Sequence, residues 1–258
     1  MDNINDVLTV IKLISQAIIE NGGETSRAEE VCERICKAYN VKNINAFAIP
    51  TGIIITVGEN DEKTVMKRIK NRSINFEGLE RANDISYKLV RGDIGLKTAR
   101  EMITRLIEEK QTSIFKKLLI IGAGGLSTGF FAALLGGGLF DFTVAFFCGI
   151  FIQIISLLFK RNDLYQFLIS MIGGMFSALF AVLAVFIFKE GNMDFIISGA
   201  IMLLLPGLAM TSAIRDTMSG NLLAGTSKIG EALLTAVAIA GGVGAVLSVF
   251  AALGGNII

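Results

Sequence analysis

The chain has 258 residues, 52% of them apolar, a formal net charge of +1 and no histidine or tryptophan. Residues 1–117 hold 19 of the 24 Lys and Arg and 17 of the 23 Asp and Glu. The near-neutral total therefore averages a water-facing part and a lipid-facing part, with no basic stripe for nucleic acid. Lacking histidine, and lacking GxSxG, Walker A and HExxH patterns, the sequence disfavours an enzyme, and no cofactor or metal site is expected.

Met1 to Asp6 is acidic rather than basic, so no secretory leader is expected. Residues 4–20 place Val7, Ile11, Ile14 and Ile18 at the period of an amphipathic helix. Asn21-Gly22-Gly23 is its stop signal. A second helix is expected from Thr25 or Ser26 to Tyr39, with Ser26 and Glu29 spaced as a capping box. Cys32 and Cys36, four apart on it, read as reduced, packed thiols. Strands follow at 44–49 and 52–57 around Pro50-Thr51-Gly52, then a turn at Gly58 to Asp61 and a third strand at 64–69. Helices at about 77–91 and 96–111 complete a cytoplasmic α+β domain over residues 1–113.

From residue 114 onward the expected architecture is a bundle of five transmembrane α-helices, at about 117–135, 141–159, 164–188, 194–214 and 229–253. Each approaches the roughly 20 residues needed to cross a bilayer. Lys116 and Lys117, Lys160 and Arg161, and Arg215 and Lys228 flank one side, while Lys189 stands on the other beside Glu190. Retention of cations in the cytoplasm then puts the N-terminus inside and the C-terminus outside a plasma membrane. Of the 28 glycines, 21 follow Lys117, and small residues let membrane helices approach closely. The Gly-rich faces of the first and fifth spans are the expected partner contacts.

The fourth span carries Pro206-Gly207 near its middle. Proline removes an amide and obstructs the carbonyl four residues back, at Met202. Discontinuous helices form mid-membrane sites in secondary transporters, so Met202, Pro206 and Gly207, with the hydroxyls of Thr211 and Ser212, are candidates for a transport pathway; a packing kink is the alternative. Gln153 in the second span is a neutral hydrogen-bonding candidate. Ionisable groups in or bordering the spans are Asp141, Asp163, Asp216 and Glu231, with Arg215 and Lys228 as partners. Such groups are costly in lipid and usually functional. Asp216 and Glu231 bracket a loop, SGNLLAGTSKIG, and are the ion-coupling candidates. A local Glu231–Lys228 pair is the competing reading.

ENGGETSRAEEVCERICKAYNV, the Pro50-Thr51 strand pair, Leu205-Pro206-Gly207, Ile214-Arg215-Asp216 and Gly220-Asn221 occur in this order before the Gly-rich last span. Together they resemble the threonine/serine exporter family, and specifically its larger, domain-bearing half. The resemblance implies a subunit of a secondary-active exporter of small polar metabolites, threonine or serine first. It adds Asn221 to the pathway candidates and implies a separate small membrane partner of about four or five spans. With no nucleotide-binding loop, a proton gradient is the expected energy source. A dicarboxylate exporter subunit, or a membrane-tethered sensor or scaffold, are the alternatives. Glu24, Thr25, Arg27 and Glu30 match the family's cytoplasmic motif; helix capping and surface pairing account for them, and a gating contact with inner loops is the functional alternative.

Overall fold

In the computed structural model the chain is described over residues 4–58, 62–70, 72–108, 114–159 and 166–254. It is mostly helical, with one small sheet, and divides into two compact units: Met1–Gln111 with Leu208–Ile229, and Thr112–Gly207 with Gly230–Ile258. A boundary at 113/114 therefore does not account for Leu208–Ile229, which pack with the N-terminal unit.

In the first unit α1 (Ile4–Glu20) is central. Ten of its residues are buried, because α2 (Thr25–Ala38), α3 (Phe76–Arg91), α4 (Leu96–Glu108) and the sheet pack around it. Its stop is the one expected from Asn21-Gly22-Gly23. Gly22 takes φ +84°, and the amides of Gly22 and Gly23 return to the carbonyls of Ile19 and Ile18 at 3.1 and 2.9 Å. This closes the last turn as a Schellman motif. A Cβ at Gly23 would lie 2.6 Å from Ile18 Cγ2, so the second glycine is required by contact.

The sheet is antiparallel, ordered β1 (Ile44–Ile49), β2 (Gly52–Val57), β3 (Lys63–Arg68). Ile53, Ile55 and Val57 are buried, while Phe47, Ile54 and Met66, paired across the three strands, are exposed. Glu59 to Asp61 of the expected turn lie outside the described residues. Cys32 and Cys36 are free and buried, with Ser15 Oγ 3.1 Å from Cys32 Sγ. Burial pushes the two thiols up to about 12 and about 11.

The second unit is built of α5 (Ile114–Leu134), α6 (Leu139–Phe159), α7 (Gln166–Phe188), α8 (Met193–Ile201) and most of α10 (Leu222–Ala252). Among the described residues four helices are long and apolar enough to cross a membrane: Ile114–Leu134, Leu139–Phe159, Phe167–Phe188 and Leu222–Ala252. Small residues set the packing. Thr128 Oγ1 on α5 donates to the Ala145 carbonyl of α6 at 2.8 Å. A Cβ at Gly174 on α7 would lie 2.8 Å from the Ile239 carbonyl of α10. Asp141 serves the structure directly, its carboxylate accepting from the amides of Gly138 and Asn192, both at 2.8 Å. It caps the start of α6 and ties that turn to the one before α8. Lys160, Arg161 and Asp163 lie outside the described residues.

Two expected boundaries are corrected. The segment 194–214 is not one helix: α8 stops at Ile201, and α9 (Gly207–Met218) starts immediately after Pro206. At about 1.5 Å per residue, neither piece alone reaches across a ~30 Å core. Proline disfavours helical geometry at Leu205 and obstructs the Met202 carbonyl, so the break opens over several residues rather than as a kink. The expected loop SGNLLAGTSKIG is mostly helix, since α10 begins at Leu222. Thr226 Oγ1 donates to the Leu222 carbonyl at 2.8 Å within that first turn, and no proline interrupts it.

Candidate functional site

Within the first unit, the start of α2 meets the end of α9 and the first turns of α10. The local geometry begins at Gly220, with φ +86°. The Gly220 amide donates to the Thr217 carbonyl at 3.1 Å and the Asn221 amide to the Asp216 carbonyl at 2.9 Å. These are the two bonds of a Schellman motif. They fix Asn221 beside Asp216 and turn the chain straight into α10. Ser212 lies one turn before Asp216 on the same face of α9, and Lys228 reaches both.

Asp216 is 0% exposed and the Lys228 side chain 12%. Lys228 Nζ is 2.6 Å from Asp216 Oδ2, an ionic contact outside hydrogen-bond alignment, and donates to Ser212 Oγ at 2.7 Å. Thr25 Oγ1, also fully buried, donates to Asp216 Oδ1 at 3.3 Å. Asn221 Nδ2 donates both to Thr25 Oγ1 and to Glu29 Oε2, each at 3.3 Å. Glu29 Oε1 accepts from the Ala48 amide of β1 at 2.8 Å. At the rim, Arg215 Nη1 pairs with Glu24 Oε1, and the Arg215 side chain is 67% exposed.

The cluster thus holds three carboxylates and two cations. Its hydrogen bonds run one way: the Asn221 amide feeds the Thr25 hydroxyl, which feeds the Asp216 carboxylate. A buried carboxylate without a counter-ion is costly, and Lys228 removes that cost. The arrangement holds a paired charge out of water.

Of the candidates from sequence, Glu24, Thr25, Ser212, Asp216 and Asn221 come together here. The expected capping box does not form. Glu24 is the N-cap and gives no side-chain cap bond, which leaves Thr25 inside the helix with its hydroxyl on Asp216. Glu30 pairs instead with Arg34 at 3.5 Å, and Arg27 is exposed. Lys228 takes Asp216 as its partner. Glu231 belongs to the second unit, where it is exposed and its carbonyl accepts from Thr235. Thr211 is exposed and donates to the Leu208 carbonyl of its own helix at 3.1 Å. Gln153 is half-buried on α6 in the second unit and packs over Gly124 of α5. Met202 and Pro206 stand in the break, and Gly207 opens α9. Glu29 was missed as a member of the site. Its spacing of four from Thr25, which puts both on one helix face, was the available signal.

A family model described as "Putative threonine/serine exporter" matches residues 9–250. A "Probable threonine/serine exporter" from Mycobacterium tuberculosis (strain ATCC 25618 / H37Rv) is 22% identical over 240 residues, covering 92% of this chain and 45% of the relative. The chain therefore spans less than half the length of that relative. No solved structure matches.

Proposed function

Because the chain belongs to the threonine/serine exporter family, we propose that it is a subunit of a secondary-active exporter of threonine and serine, driven by the proton gradient, with Asp216 as the group that takes up and releases the coupled proton. The observation that carries this reading is the fully buried Asp216 held 2.6 Å from Lys228, in a chain whose described residues include four helices fit to cross a membrane. This reading keeps a fifth crossing in the chain between α7 and α10. The α+β unit is cytoplasmic and the C-terminus outside, by the flanking cations.

The break at Met202 to Pro206 frees backbone groups that a continuous helix would bond to itself. Such breaks suit a zwitterion, whose charged ends match half-helix termini. Gln153, Met202, Pro206, Gly207 and Thr211 are the pathway candidates. The resemblance to the domain-bearing half of the family motivates a second membrane protein of about four or five spans as partner. The test is efflux from vesicles containing this chain, with and without that companion, loaded in parallel with threonine, serine and a dicarboxylate under an imposed pH gradient. Threonine and serine should leave, and only with the companion present. Faster dicarboxylate efflux would replace the substrate, and movement of none of the three would end the transport reading.

A further inference from the structure

We propose that Thr25 and Asn221 are positioning residues for the Asp216 carboxylate, anchored through Glu29 to the sheet, so that the α+β unit sets how readily Asp216 exchanges its proton. The inference rests on Asp216 being the proton-exchanging group. Three observations carry it. Thr25 is 0% exposed yet offers its hydroxyl to no cap; that hydroxyl points to Asp216 Oδ1. Asn221 donates from one nitrogen to Thr25 and to Glu29, which orients the Thr25 proton toward Asp216. Glu29 spends its other oxygen on the Ala48 amide of β1, so the relay ends on a backbone bond in the strand rather than in solvent.

Proton uptake forms one O–H bond on Asp216 and consumes one solvent proton. The charged groups in the cluster are Lys228 from α10, Glu24 and Glu29 from α2, and Arg215 from α9. A hydroxyl donating to a carboxylate favours the ionised form. Its loss should therefore raise the pH at which the carboxylate takes a proton. The relay makes the N-terminal unit part of the ion site rather than a separate regulatory module.

The test is infrared titration of the purified full chain, following the carboxylic-acid band that is missing in Asp216→Asn. In Thr25→Ala the midpoint of that band should rise by about one pH unit, a tenfold change in proton affinity, and Thr25→Ser should restore it. Asn221→Ala, which leaves the hydroxyl in place but unoriented, should move it up by a smaller amount and serves if Thr25→Ala fails to fold. A midpoint unchanged in both Ala variants, or one that Ser does not rescue, overturns the positioning role while Asp216 remains a proton site. If no Asp216-dependent band develops at any pH where the protein is folded, the proton reading itself fails, and this inference with it.

Discussion

Replacing Lys228 with Met keeps most of the side chain's length and deletes its charge. The structure makes the consequence asymmetric. Asp216 is completely buried, its counter-ion is 2.6 Å away, and its only hydrogen-bond donor among the described residues is Thr25 at 3.3 Å. Breaking a buried pair from one side leaves an uncompensated charge, a loss of roughly 3–5 kcal/mol. For a unit of this size that is a drop in Tm on the order of 10 °C. Asp216→Asn leaves Lys228 with Ser212 and a path to water, since Lys228 keeps 12% exposure, so its cost should be smaller. The double variant should recover much of the loss. The assay is a fluorogenic maleimide melt in a Cys148→Ala background, where buried Cys32 and Cys36 report opening of the first unit alone. Additive single-variant effects, with no recovery in the double, would refute the pairing argument.

Pro206→Ala restores an amide and gains about 3 kcal/mol of helical preference, so α8 and α9 should tend to fuse; efflux should fall while membrane insertion holds, and unchanged efflux would leave the break as packing only. Gly220→Ala meets no atom within 4 Å, so its cost is the left-handed backbone alone, about 1 kcal/mol; a larger drop in Tm by circular dichroism would mean that the turn does more than hold Asn221. Burial raises the folded-state thiols of Cys32 and Cys36 to about 12 and about 11 from 9.0. The folded state therefore holds those protons more tightly, and the stability linked to them is complete below pH 9 and lost as pH rises toward the folded values. Melting at pH 8.5 to 11 should show a steeper decline in the wild type than in a Cys32→Val, Cys36→Ala double variant; parallel declines would contradict the burial argument.

Legibility followed the range of the forces involved. The period of α1 and its Asn21-Gly22-Gly23 stop are local and were readable, as were the apolar lengths of α5, α6 and α7. Pro206 marked the break, and its clash with the carbonyl four residues back marked Met202, where α8 is capped; what did not show was that the two pieces separate into distinct helices rather than share one kinked axis. The first turns of α10 read as loop because Ser, Gly and Asn punctuate them; tertiary packing of Gly225 against Ala213 and Thr217 of α9 overrides that weak signal. The site was readable as parts, not as a whole. Thr25 and Asp216 are 191 residues apart, and the same Ser26 and Glu29 spacing that suggested a local capping box concealed Glu29's bonds to Ala48 and Asn221.

The central claim is that Asp216 couples proton movement to export. The direct measurement is threonine efflux from vesicles carrying this chain and its companion, for wild type and Asp216→Asn, with and without a pH gradient, beside gradient-free threonine exchange. The account predicts that Asp216→Asn loses acceleration by the gradient while exchange stays measurable. Gradient-driven efflux at wild-type rate in the Asn variant would contradict it.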